Sequence, residues 1–156
     1  MSTGTALRVG ADVVSVQQVE ASVARFGSRY LQRVYTQHEL ESSVGRSPVR
    51  AASLAARFAA KEATIKVLRP VGHQPDWRSV EVRRHPSGWC TMELSGHAAV
   101  LADQANIAEL AVSLTHEGDV AAAVVVALCG PGTDNREPSQ MSVATDADAD
   151  DCEGTR

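Results

Sequence analysis

Apolar and polar positions change their spacing several times along the chain, and each change predicts an element. Leu7, Val9, Ala11 and Val13 alternate with Arg8, Gly10 and Asp12, the period of two expected of a half-buried strand. Over residues 15–34 the period lengthens. Val16, Val19, Val23, Phe26 and Tyr30 recur at roughly helical spacing, which predicts one helix across that stretch. Thr36 followed by Glu39 forms a capping box for a short helix. Ser47 ahead of Pro48 is a further start signal, with proline at the first helical position. The alanine-rich run Val49 to Leu68 continues unbroken until Arg69-Pro70 stops it.

The period of two then returns. Val80 and Val82 alternate with Glu81 and Arg83, His85-Pro86-Ser87-Gly88 is a turn, and Cys90, Met92 and Leu94 form the other arm of a hairpin. Residues 98–105 read as a helix. Leu110, Val112 and Leu114 form a strand that His116-Glu117-Gly118-Asp119 turns into the apolar strand 120–128. The order βααα-ββ-α-ββ predicts an α+β fold, an antiparallel sheet packed against one long helix.

Composition adds boundaries. A chain of 156 residues, 44% hydrophobic and 22% charged, suits one compact domain. From Gly130 the sequence turns to Gly, Pro, Ser, Thr and Asp without apolar period, so residues 1–129 form the expected domain and 130–156 a disordered acidic tail. That tail carries seven acidic residues against Arg136 and Arg156. Residues 1–69 hold ten basic and five acidic side chains, which suits an anionic partner. Aromatic residues are only 4% of the chain, too few for a nucleic-acid surface built on stacking. Cys90, Cys129 and Cys152 match neither a disulfide framework nor a zinc site. With no export-type N-terminus and no apolar run of membrane length, a cytoplasmic protein is expected, with no membrane partner.

Candidate chemistry lies on the long helix. Leu54, Phe58, Ile65 and Leu68 form one apolar stripe, and Ala55, Ala59, Glu62 and Lys66 follow a neighbouring line. There the two alanines leave space for an acid and a base. An ordinary surface pair of Glu62 and Lys66 explains the helix alone equally well. Asp12, at the end of the first strand and on the face opposite Val9, Ala11 and Val13, supplies a second carboxylate. Two carboxylates plus substrate phosphate oxygens meet the needs of Mg²⁺.

Three blocks carry a resemblance. Gly10-Ala11-Asp12-Val13-Val14, then Arg57-Phe58-Ala59-Ala60-Lys61-Glu62-Ala63 with Lys66, then Val112-Ser113-Leu114-Thr115-His116 resemble the motifs of holo-acyl-carrier-protein synthases, which are phosphopantetheinyl transferases. They occur in that family's order and at about its spacing, over roughly residues 7–128. The resemblance implies a Mg²⁺-dependent transferase that moves the phosphopantetheine of coenzyme A to a serine of an acyl carrier protein, releasing 3′,5′-ADP. Asp12 and Glu62 match the metal-binding carboxylates, and either is a candidate general base. Lys66 matches the lysine that protonates or neutralises the leaving phosphate. Lys61 matches a lysine near the coenzyme A phosphates, although its place in the apolar stripe requires it to snorkel or be paired. His116 matches a histidine near the nucleotide. Family members of this size are homotrimers with coenzyme A between subunits, so His116 is expected to serve a neighbour's carboxylates.

The chain also departs from the family. Gln18 stands where an arginine often helps dock the acidic carrier helix, leaving Arg25 and Arg29, four apart, to share a docking face. Arg69-Pro70-Val71-Gly72-His73 replaces a glycine-rich turn. A non-catalytic protein that binds nucleotide or carrier is the main rival reading, and the intact Asp12, Glu62 and Lys66 weigh against it. A nucleic-acid module lacks any motif here.

Overall fold

The structure, a computed structural model, describes residues 4–45 and 49–130. The Ser47-Pro48 start signal, Cys152 and the acidic segment after Gly130 lie outside the described residues. The elements are β1 (Ala6–Ser15), α1 (Val16–Phe26), α2 (Ser28–Val34), α3 (Gln37–Ser42), α4 (Val49–Leu68), a 3-10 turn (Trp77–Ser79), β2 (Val80–Arg84), β3 (Cys90–Leu94), α5 (Gly96–Gln104), β4 (Ile107–Glu117) and β5 (Val120–Cys129). This is the expected α+β class, and every strand pair is antiparallel. The strands divide into a three-stranded sheet, β1-β5-β4, and the separate hairpin β2-β3.

In β1 the apolar set faces away from the helix. Leu7, Val9 and Val13 are 66%, 63% and 69% exposed, while Gly10 is buried. The reason is the approach of α4. A Cβ on Gly10 would lie 2.1 Å from the carbonyl oxygen of Ala63, so only glycine lets strand and helix come this close. Arg8, Asp12 and Val14 therefore share the helix-facing side with Gly10, and Arg8 Nη1 donates to the Val67 carbonyl at 3.3 Å.

The single helix expected over residues 15–34 is two. Gly27 adopts φ 56° and ψ −135°, a conformation open to glycine, and separates α1 from α2. Arg25 and Arg29 consequently lie on different helices, and Arg29 and Arg33 are the pair four apart on one helix. The start of α1 is fixed from a distance. Asp119, in the turn between β4 and β5, accepts from Gln17 N at 2.7 Å and from Ser15 Oγ at 3.0 Å. That turn is Gly118-Asp119 alone, because β4 runs on through Glu117. His116 is thus a strand residue and not part of the turn.

α4 is buried almost all round, well beyond the expected stripe. One side meets the sheet through Ala59, Ala60 and Ala63 with Ala123, Val125 and Ala127. Another meets α1–α3 through Leu54 and Ala55 with Val16, Val19 and Tyr35. Ala55 and Ala59 are fully buried; they pack and leave no open space.

The α3 start carries the predicted capping box, Thr36 with Glu39. Glu39 does more than cap. It is fully buried, takes Val82 N at 2.9 Å on Oε1, and meets Lys61 Nζ at 2.8 Å on Oε2. Lys61 also donates to the carbonyls of Trp77 and Val80, so its three N–H groups are all used. Burial pulls the Lys61 ammonium below its ordinary pKa and Glu39 opposes that shift. We expect Lys61→Met, which strands a buried Glu39 charge, to cost about 3–5 kcal/mol. Adding Glu39→Gln to Lys61→Met should recover part of it, as measured by denaturant unfolding; equal midpoints for wild type and Lys61→Met would overturn the structural role.

Candidate active site

β1 and α4 bring three of the expected residues together. Gly10 sets the spacing, Asp12 follows two residues later on the same face, and Glu62 adjoins the contacting Ala63. Lys66, one turn beyond Glu62, reaches back over the strand. Its Nζ donates to the Ala11 carbonyl at 2.7 Å and to Asp12 Oδ1 at 2.9 Å. The Lys66 side chain is half exposed, whereas Asp12 is mostly covered. An ion pair this open is worth only about 0–1 kcal/mol, so a phosphate can take the lysine over at little cost.

The Glu62 carboxyl is pushed up from its ordinary pKa, first by burial and then by the neighbouring Asp12 charge, with Lys66 acting the other way. A like-charged pair held together in this way is relieved by a cation. Among the described residues no cluster of three His, Cys, Asp or Glu assembles. A metal at Asp12 and Glu62 would therefore complete its shell with water and substrate oxygens, the coordination habit of Mg²⁺. The donor set fits that ion.

Lys61 does not join this group. The cofactor-binding position expected of it is overturned by its burial and its pairing with Glu39. Lys61 and Lys66 are five residues apart and so point to different sides of the helix.

His116 lies elsewhere in the chain. It sits on the helix-facing side of β4, opposite Ala121 of β5, while Asp12 is opposite Ala123 on the far side of β5. Two strand spacings separate β1 from β4, roughly 10 Å. His116 is exposed and lines a cleft of about 190 Å³ together with Ser53, Arg57, Arg84, Cys90 and Leu114. Arg57 is only 4% exposed. Its Nη1 donates to Ser53 Oγ at 2.6 Å and its Nη2 to Ser42 Oγ at 2.9 Å. Arg57 and Arg84 were not singled out as site residues from the sequence, because they come from different elements and meet only in three dimensions. The one sequence signal was that Arg57 opens the same block as Lys61, Glu62 and Lys66.

Comparison with known proteins identifies the family. The family model of the 4'-phosphopantetheinyl transferase superfamily matches residues 8–125. A holo-[acyl-carrier-protein] synthase from Dehalococcoides mccartyi is 39% identical over 121 residues, covering 78% of this chain and 98% of that protein. An ACPS–CoA complex from Chronobacterium ammoniagenes superposes with a TM-score of 0.70 at 30% identity, covering 80% of this chain and 98% of that one. The Helicobacter pylori holo-[acyl-carrier-protein] synthase in complex with coenzyme A gives 0.67 at 29% identity, covering 77% and 99%. The blocks around Asp12, Glu62 and His116 fall inside the matched span, and the chain belongs to the holo-[acyl-carrier-protein] synthase family of the 4'-phosphopantetheinyl transferase superfamily.

Proposed function

We propose that this protein transfers the 4'-phosphopantetheine of coenzyme A to a serine of an apo acyl carrier protein, using Mg²⁺ held by Asp12 and Glu62. The observation that carries the reading is the meeting of Asp12, Glu62 and Lys66 where β1 and α4 touch. Held by Asp12 and Glu62, Mg²⁺ would supply positive charge to offset that of the coenzyme A pyrophosphate. The carrier serine hydroxyl attacks the β-phosphorus, and 3′,5′-ADP leaves. Lys66 leaves the Ala11 carbonyl and Asp12 to meet the charge that grows on the departing phosphate. The hydroxyl proton passes to a carboxylate. Glu62 and Asp12 both lie where the hydroxyl proton can be taken up.

Arg57, Arg84 and His116 suit the nucleotide phosphates of coenzyme A, a reading supported by a cleft lined with cationic groups and no carboxylate. Its separation from Asp12 within one chain favours a site shared between subunits. The outer sheet face supports the same view. Leu7 lies opposite Leu128 and Ala11 opposite Val124, and with Val9 and Val13 they form an exposed apolar surface of the kind that marks an interface. A homotrimer, as in family members of this size, covers it. Val9→Lys with Val124→Lys should give monomers in light scattering; a wild-type monomer would remove the shared site.

Among the described residues no helix is long and apolar enough to cross a membrane, and Cys90 and Cys129 are free thiols. The free thiols suit the reducing cytoplasm in which we place the enzyme. β5 ends at Cys129 and the family match at residue 125, which supports placing 130–156 outside the catalytic domain.

The deciding experiment is mass spectrometry of an apo carrier protein incubated with coenzyme A, Mg²⁺ and this protein. The carrier should gain one phosphopantetheine. Asp12→Ala and Glu62→Ala should each reduce transfer to near background. EDTA should stop the wild type, and Mg²⁺ or Mn²⁺ should restore it. Full activity in chelator would sink the metal assignment.

Carrier docking is expected on the basic surface around α1 and α2, where Arg25 stacks on Phe26 with its guanidinium 5.0 Å from the ring centre. Exposed charge pairs are each worth about 0.2–1 kcal/mol, and reversal adds repulsion. Arg25→Glu with Arg29→Glu should therefore raise KM for the carrier by roughly tenfold at low salt, with coenzyme A binding almost unaffected. The effect should shrink in high salt. Weakened coenzyme A binding with an unchanged carrier KM would assign these arginines to the nucleotide instead.

A further inference from the structure

The cleft beside His116 also holds a group that the transfer reaction does not use, the thiol of Cys90. Cys90 begins β3, lies opposite Arg84 across the hairpin, and is half-buried. The lining residues include Arg57, Arg84 and His116 and no acidic side chain. Arg57 adds a second guanidinium to the wall of the cleft, and that side chain is nearly all buried. Its Nη1 and Nη2 are bonded to Ser53 and Ser42, but its buried Nε–H has no acceptor among the described residues. Donors in such a position are normally satisfied, and no described residue satisfies this one. The other described cysteine, Cys129, is buried in the core.

We propose that Cys90 is a thiol–disulfide exchange site for anionic low-molecular-weight disulfides, whose carboxylates are held by Arg57, Arg84 and His116. In the exchange, Cys90 releases its proton to solvent and its Sγ attacks one sulfur of the disulfide. The Sγ–S bond forms as the S–S bond of the reagent breaks. One half stays as a mixed disulfide, and the other leaves as a thiolate that takes a proton from water. The small disulfide is the oxidant, and a reducing thiol reverses the step. The retained half fills the cleft and blocks coenzyme A. This last consequence, unlike the exchange itself, rests on the cleft being the nucleotide-phosphate site.

The test uses the full chain and two reagents of opposite charge, oxidised glutathione (anionic) and cystamine (cationic). Adduct formation is followed by intact mass and the site located by peptide mapping. Glutathione should add once, at Cys90, at least tenfold faster than cystamine, and Cys90→Ser should abolish that adduct. Arg84→Glu, a change at an exposed side chain, should bring the two rates close together. An adduct confined to Cys129 or Cys152, equal rates for both reagents in the wild type, or a preference unchanged by Arg84→Glu would each overturn the proposal. Carrier modification is assayed in parallel, before and after dithiothreitol. A selective Cys90 adduct that leaves transfer untouched would keep the exchange site and remove this cleft from the coenzyme A reading.

Discussion

The missing side chain at Gly10 is the constraint from which the active site follows. With Ala63 O only 2.1 Å from where a Cβ would stand, β1 and α4 touch backbone to backbone at that point. Asp12 is two residues along the strand on the same face, Glu62 is the helical neighbour of Ala63, and Lys66 lies one turn further on. A spacer of even one methyl would move the strand outward and carry Asp12 away from the helix with it. The Lys66 bonds to Ala11 and Asp12 depend on the same closeness, as does the pressure of Asp12 on the Glu62 carboxyl.

A second contact holds the opposite side of α4. Glu39 and Lys61 join α3, α4 and β2 through one buried ion pair with its remaining polar atoms satisfied. Buried pairs of this kind are weak sources of net stability but costly to break. Their effect here is orientation: Lys61 faces the hairpin, so Glu62 and Lys66 must face β1. Two lysines in one short block thus have opposite environments, one enclosed among carbonyls and a carboxylate, the other open to solvent beside an acid.

Elements governed by local signals were legible in the sequence. The capping box at Thr36, the hairpin around His85–Gly88 and the long alanine-rich helix all follow from short-range chemistry. The break at Gly27 was not, because glycine costs a helix only about 1 kcal/mol and the apolar spacing continues across it. The partner of Lys61 was hidden for a different reason. Glu39 already had a complete local explanation as a capping residue, and nothing in the spacing said that its carboxylate would also reach Lys61. The site was legible through Asp12, Glu62 and Lys66 as a resemblance and only weakly from periodicity. The cleft of Arg57, Arg84, Cys90 and His116 joins four elements and has no sequence period to reveal it.

The faces of the three-stranded sheet carry the remaining argument. A sheet packed on one helix ordinarily turns its large apolar residues toward that helix and its polar ones to water. Here the helix-facing positions include Gly10, Ala121, Ala123 and Ala127 around one larger residue, Val125, while Leu7, Val9, Val13, Val124 and Leu128 point away. Small residues inside are what allow α4 to come close enough to set Glu62 beside Asp12. A branched residue in place of Gly10 would have lengthened that gap. Turned outward, they leave an apolar surface that water covers poorly. The close approach that builds the carboxylate pair and the face that calls for a partner therefore belong to one pattern of side-chain sizes along the same strands.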